Sequence, residues 1–293
     1  MRIKPRYPIL LPLLFILVFS FFLNFFIEDK TALKKVDASL LRPSLSLPIV
    51  IYHHILTRAN MPDSLYISPQ ELEGDFLYLK VQGFHSIHMK DLIAYVDSNQ
   101  ALPEKPILLC FDDGYLNNYV YAFPLLQKYN MKMVLSLIGK STDEFSKKTD
   151  INLDYSYANW DQIKEMIESG YVEIQNHSYN LHSLKGSRFG ASINPGEDFL
   201  AYELELSRDI GNFQKYLTQK TASTPTTFCY PFGYISPESD GILKNMGFRA
   251  SLSSNGGINR IEQNPDALFS LKRNNRPHNI SSEAFFKGIY RVK

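Results

Sequence analysis

Apolar residues fall into three regimes along the chain. From Pro8 to Ile27 they form one run, PILLPLLFILVFSFFLNFFI, with only Ser20 and Asn24 as polar interruptions. From Leu47 onward they come in short β-rich runs: LPIVIYH (47–53), FHSIH (84–88), PILLCF (106–111), MVLSLI (133–138), YVEIQ (171–175), TTFCY (226–230) and FRASL (248–252). Between these runs the spacing becomes helical. Leu72, Phe76 and Leu79 follow a Ser68-Pro69 start, Ile163 and Ile167 lie between Trp160 and a stop at Gly170, and Tyr202, Leu206, Ile210, Phe213 and Leu217 share one face of a longer helix over 197–220. Strands alternating with helices predict parallel βα units, and about seven of them suggest one barrel-like α/β domain. In such a domain the reactive residues sit at the C-terminal strand ends.

The first run has its own logic. A helix of 20 residues covers roughly 30 Å, the thickness of a bilayer's hydrocarbon core. Arg2, Lys4 and Arg6 precede it and Glu28 and Asp29 follow, which predicts a cytoplasmic N-terminus (1–7), a transmembrane signal anchor (8–27) and an extracytoplasmic remainder. A cleaved signal peptide and a buried core helix are the competing readings. The run ends in Phe25, Phe26 and Ile27 rather than in small residues, which favours the anchor. The mixed polar stretch 28–46 reads as a linker, and the folded domain is expected over 47–293.

Composition narrows the function. The chain carries 31 Lys+Arg against 30 Asp+Glu, so no electrostatic excess supports nucleic-acid binding. Its 44% hydrophobic content excludes a disordered chain, and two cysteines, Cys110 and Cys229, cannot form a disulfide framework. Both cysteines end strands, and free thiols are expected.

Three motifs stand at predicted strand ends. Asp112-Asp113-Gly114-Tyr115 follows PILLCF, and two adjacent carboxylates beside a buried strand need a cation or a proton between them. His177-Ser178-Tyr179-Asn180-Leu181-His182 follows YVEIQN; on a strand end and its turn both imidazoles can meet one ion, and with Asp113 they make a His₂-carboxylate donor set. The spacing differs from H-E-x-x-H, so a zincin protease is not indicated. Cys229-Tyr230-Pro231-Phe232-Gly233 is a turn able to aim a backbone N–H inward.

In this order and at these separations, the three motifs resemble those of the NodB-homology polysaccharide deacetylases, carbohydrate esterase family 4. The similarity spans roughly 47–293. It implies a distorted (β/α) barrel in which Asp113, His177 and His182 hold a divalent metal, most often Zn2+ with Co2+ or Ni2+ as alternatives, and Asp112 is the general base. The reaction implied is hydrolysis of an acetyl group on a sugar. Two departures from the family pattern stand out. Cys229 occupies the position of an Arg that orients the base, and no Leu-x-His acid follows Gly233, His278 being the only histidine there. Ile51-Tyr52-His53-His54, LPEKPILLCFDDGY and the LKRNN segment are similar to the poly-N-acetylglucosamine deacetylase branch, in which the acid histidine lies early in the domain. That match places the acid at His53, with His54 on the opposite side of the strand.

The expected partner is therefore an acetylated glucosamine polysaccharide, with Tyr230, Pro231, Phe232, Gly233 and Tyr115 around substrate and oxyanion and Phe232 N–H as oxyanion donor. Tyr179 and Tyr234 are further candidates for stacking on sugar, and Trp160 reads as core. Without an Arg beside it, Asp112 is expected to be loosely oriented and the rate modest. A peptidoglycan or O-acetyl deacetylase, a carbohydrate-binding protein of little turnover, and a structural membrane protein remain open.

Overall fold

The computed structural model describes residues 44–57, 62–149 and 151–290, all within one compact unit beginning at Ser44. The expected cytoplasmic segment 1–7, the anchor 8–27 and nearly all of the linker 28–46 lie outside the described residues. Among the described residues no helix is long and apolar enough to cross a membrane.

Eight parallel strands form the central sheet: β1 (Ile49–Tyr52), β2 (His85–Ser86), β3 (Pro106–Phe111), β4 (Met133–Leu137), β5 (Val172–Asn176), β6 (Thr227–Cys229), β7 (Ala250–Leu252) and β8 (Asn274–Asn275). Their order is β7-β6-β5-β4-β3-β1-β8, with β2 paired to the start of β3. Seven of the eight coincide with the apolar runs. The eighth, β8, has two asparagines and no apolar signature.

That polar stretch joins the two ends of the sheet. Leu271 N donates to Ser251 O (2.9 Å), Ser253 N donates to Leu271 O (2.9 Å) and Arg273 N donates to Asn255 O (2.8 Å), all beside or just past β7. Immediately afterwards Asn274 and Asn275 pair with Val50 and Ile51, and Arg276 N donates to Ile51 O (3.0 Å). A parallel sheet curved this far, with helices packed around it, fits the expected distorted (β/α) barrel. Two buried ion pairs pin the closing stretch. Arg276 Nε and Nη2 grip Asp75 at 2.8 and 3.0 Å, while Arg273 Nη1 reaches Asp112 at 2.8 Å.

Among the described residues eight α-helices follow in order: α1 (Pro69–Val81), α2 (Met89–Ser98), α3 (Phe123–Tyr129), α4 (Gly139–Phe145), α5 (Trp160–Glu168), α6 (Phe199–Thr221), α7 (Ser239–Asn245) and α8 (Ser282–Ile289). Side-chain caps explain several starts. Ser68 and Glu71 form a reciprocal capping box on α1, Asn159 and Gln162 do so on α5, and Asp198 accepts from the first amides of α6. On α6 the buried residues are Tyr202, Leu206, Ile210, Phe213 and Leu217, the predicted stripe.

Strand alternation separates two of the three core clusters, the third gathering Tyr202, Leu206 and Ile210 of α6 with Phe228, Tyr230 and α7. Val50, Tyr52, Leu109, Phe111, Leu135 and Ile174 pack with α1, α3 and α5, whereas Ile49, Leu108, Cys110, Val134, Cys229 and Leu252 form a second cluster with α2. Asp112 continues the row of Leu108 and Cys110 beyond the end of β3. On the same alternation Glu173 projects toward α2, where its carboxylate accepts from Met89 N (2.6 Å) and Lys90 N (3.2 Å).

Burial raises the Glu173 carboxyl to about 7 despite those two amide donors. A raised folded value means that the folded chain binds the extra proton between pH 4.5 and 7. Stability therefore declines as pH rises through that window, by roughly 2–3 kcal/mol from this group. Glu173→Gln removes the charge and keeps one acceptor. Its melting temperature relative to the parent protein is expected to be about 4–8 °C higher at pH 8 than at pH 5; an equal difference at both pH values would refute the assignment.

Candidate active site

Each motif leaves its strand through a backbone conformation that L-residues seldom adopt. Asp113 has φ +74°, Ser178 φ +71° and Phe232 φ +57°. Strain of this kind costs on the order of 1–3 kcal/mol per residue and persists only where the surroundings enforce it. Here they do. Ile138 N donates to Asp113 O (3.3 Å), Ser178 N donates to Asn176 Oδ1 (2.8 Å), and Gly233 N donates to Tyr230 O (3.0 Å). Gly114 cannot be replaced without conflict, because a Cβ there would lie 2.7 Å from Leu137 Cδ2 and its φ is +86°.

The turns bring Asp113, His177 and His182 together. Asp113 Oδ1 lies 3.3 Å from His177 Nε2 and 3.2 Å from His182 Nε2. It is buried yet has no hydrogen-bond partner of acceptable geometry. Those separations have a simple origin: bonds of about 2.0–2.1 Å meeting at a tetrahedral angle place ligand atoms about 3.3 Å apart. The orphaned oxygen and the spacing therefore fit a divalent metal such as zinc. His177 is also correctly poised, since its Nδ1 faces Cys229 O at 2.7 Å. A proton on Nδ1 donated to that carbonyl leaves the Nε2 lone pair facing Asp113.

Asp112 lies next to this set but serves a different partner. Its Oδ1 accepts from Arg273 Nη1 at 2.8 Å, both side chains being buried, and Cys229 Sγ lies 3.5 Å from each carboxylate oxygen. Burial opposes the charge on Asp112, but the Arg273 guanidinium together with His177 and His53 outweighs it, so the carboxyl is held below the ordinary carboxylate range. The expectation of an unsupported Asp112 is thus corrected. The arginine is present, supplied by the barrel-closing stretch rather than by the third motif, where the small Cys229 leaves room for it. Cys110 and Cys229 are free and buried, and burial pushes the Cys110 thiol up to about 12.

His53, directly after β1, is half-buried within the electrostatic reach of Asp113, Asp112, Arg273 and His177. Burial lowers its pKa against the pull of the two carboxylates. Asn118 Nδ2 holds its carbonyl at 2.8 Å, while Asn117 Oδ1 receives Ile55 N at 3.0 Å. His54 is buried on another side, stacked on Tyr115 with ring centroids 3.5 Å apart and facing Asn117 Nδ2. His278 pairs with Glu71.

The aromatic candidates separate. Phe232 is 42% exposed and its ring lies 4.1 Å from that of His182. Tyr234 is exposed, whereas Tyr115 is largely enclosed between His54 and Tyr157. Tyr230, expected around the substrate, instead turns its ring into the core: it is buried against Phe228, and its hydroxyl donates to Asp240 at 2.8 Å. Tyr179 turns its hydroxyl to Asp143, and Trp160 is core, its Nε1 donating to the same carboxylate. Pro231 is buried at the head of the third turn, and a Cβ on Gly233 (φ +73°) would meet Ser254 at 2.6 Å.

Asp209, on α6, carried no motif signal. Its two oxygens accept separately from Tyr179 N (2.8 Å) and Asn180 N (2.9 Å), clamping the turn between His177 and His182.

A family model described as "Polysaccharide deacetylase" matches residues 99–251. That is just over half of the chain, which belongs to this family. The poly-beta-1,6-N-acetyl-D-glucosamine N-deacetylase of Escherichia coli K12 is 25% identical over 266 residues, covering 83% of this chain and 38% of the relative. The protein of the same name from Staphylococcus aureus MSSA476 is 24% identical over 187 residues, covering 64% and 60%. The present chain thus spans less than two thirds of either relative's length. Among solved structures, the BpsB deacetylase domain from Bordetella bronchiseptica superposes with a TM-score of 0.64 at 27% identity, covering 81% of this chain and 98% of that one.

Asp209→Asn offers one acceptor where two amides need satisfying. Zinc affinity, measured by competition with a chromogenic chelator, is expected to fall about 10- to 100-fold; unchanged affinity would mean the clamp is irrelevant to the metal ligands. Arg273→Met leaves Asp112 buried without its cation, and a loss of about 3–5 kcal/mol in urea-unfolding free energy is expected.

Proposed function

We propose that this protein is a metal-dependent N-deacetylase acting on N-acetylglucosamine units of a poly-β-1,6-linked polysaccharide. The observation that carries the reading is the division of labour between neighbouring carboxylates: Asp113 faces two imidazoles while Asp112 is held by Arg273. A hydrolytic site needs one acid group to bind metal and another to accept a proton, and adjacent residues here meet opposite partners. The names of the bacterial relatives support the substrate.

A divalent ion held by Asp113, His177 and His182 supplies Lewis acidity toward the acetyl carbonyl and makes water more acidic; the borderline nitrogen and oxygen donors suit zinc, with cobalt or nickel as substitutes. The chain's own residues do the rest. Asp112, kept ionised and oriented by Arg273, takes the proton from the attacking water. Phe232 N–H, in the left-handed turn, donates to the developing oxyanion. His53 delivers a proton to the amide nitrogen, without which the amine cannot leave. Acetate and a glucosamine ammonium group result. Arg273 supplies the orienting cation whose apparent lack had favoured a binding protein with little turnover. The run from Pro8 to Ile27 supports a single-pass anchor with the enzyme outside the cell, which N-terminal sequencing of the mature protein checks.

Acetate release from β-1,6-linked N-acetylglucosamine oligomers should be abolished by chelation and restored by zinc or cobalt. Asp112→Asn and His53→Ala should each lower kcat at least about 100-fold, and Arg273→Gln about 10- to 100-fold. Activity confined to peptidoglycan or to O-acetyl esters would shift the substrate assignment, and full activity in Asp112→Asn would sink the mechanism.

A further inference from the structure

Beside the third motif the surface carries large aromatic side chains that the core does not need. Phe189 and Tyr234 are each 44% exposed, with ring centroids 5.8 Å apart and planes tilted by 32°. Exposed aromatics are usually singletons on mobile loops. These two are paired and fixed. Gly190, at φ +56°, lets its loop approach the third motif so closely that a Cβ would stand 2.6 Å from Pro231 O, and its N–H donates to Ser183 O at 3.0 Å. Arg188, on the other side of Phe189, pairs with Glu197, donates to Ser192 O and lies over the Tyr202 ring. The loop is thereby tied down on both sides of the ring it displays.

The pair is continuous with the metal site. Tyr234 stands two residues after Phe232, whose ring packs on His182, and Gly190 abuts the same turn. The apolar C–H face of a pyranose stacks on an aromatic face without requiring charge, and a rigid aromatic surface costs little ordering entropy on binding.

We propose that Phe189 and Tyr234 form a sugar-stacking subsite for a pyranose ring of the polymer neighbouring the one being deacetylated, so that they set the preference for chain length. The inference rests on the deacetylase reading.

The test uses the full chain in detergent and β-1,6-linked N-acetylglucosamine oligomers of one to six units, with Phe189→Ala, Tyr234→Ala and the double variant. For the hexamer kcat/KM is expected to fall about fivefold to tenfold per ring, mainly through KM, and for the monomer less than twofold. Phe189→Tyr and Tyr234→Phe should restore the hexamer value, and unfolding midpoints should stay within about 1 °C. A loss equal at all lengths, or none, overturns the subsite. Hexamer affinity of the chelated protein, measured by calorimetry, separates this from the reaction itself. Hexamer binding weakened by the alanine variants but without turnover in the metal-loaded parent would overturn the deacetylase reading and leave the subsite standing. Hexamer binding equal in parent and variants, or absent in both, would overturn the subsite. Variants that instead lose binding to anionic lipid vesicles, with hexamer affinity intact, would also overturn it in favour of a membrane contact.

Discussion

The buried pair between Arg273 and Asp112 is the contact on which the rest of the molecule depends. A guanidinium and a carboxylate taken out of water lose several kcal/mol of hydration each, and the loss is recovered only at good geometry. Asp112 is placed by β3, in the middle of the sheet, while Arg273 arrives on the stretch that joins the sheet's ends. The pair can form only when the two ends meet. Closure of the fold and orientation of Asp112 are therefore one event, and a barrel left open would hold an unpaired buried charge on either side of the gap. Arg276 and Asp75 repeat the device three residues on, fixing the register of a strand too short to fix itself.

Around that pair the site is built by strained turns backed by satisfied polar groups. The left-handed residues Asp113, Ser178 and Phe232 each sit where a strand must stop and turn a functional group toward the mouth of the sheet. Their cost is offset by amide hydrogen bonds and by Asp209, a carboxylate on α6 whose apolar stripe faces the core while its acid faces the turn between His177 and His182. The long helix thus does two things with two faces. Its packing positions the clamp, and the clamp positions the two imidazoles.

The strands and the long helix were legible because each buries a periodic apolar face: PILLCF matches β3 residue for residue, and five of five stripe residues on α6 are buried. The carboxylates and histidines were legible because D-D-G and H-S-x-x-x-H, each weak alone, stand in an order and at separations that resemble the family's motifs. What escaped was set by contacts distant in sequence. Arg273 lies 161 residues from Asp112, immediately before a two-residue strand of asparagines with neither alternation nor β-branching to announce it. Asp209 looks like any solvent-facing acid of an amphipathic helix, and only the fold reveals the two amides opposite. The ring of Tyr230 packs in the core for a related reason: proximity to a motif in sequence says nothing about which side of the turn a side chain takes, and packing is the commoner fate of such an aromatic.

Cys229 then acquires a physical explanation. An arginine at that position and Arg273 from the closing strand would compete for the same carboxylate, and two buried guanidinium groups beside one acid would leave a cation uncompensated. Only one can be kept. A cysteine is small, tolerates full burial, and places a weakly polar sulfur against both oxygens of Asp112 without adding charge. In this chain the cation beside Asp112 is Arg273, delivered by the barrel-closing stretch, while Cys229 fills the third-motif position against the same carboxylate without adding charge. Either position taken alone suggests an unsupported Asp112; taken together they leave the carboxylate with one buried cation and no second guanidinium to compensate.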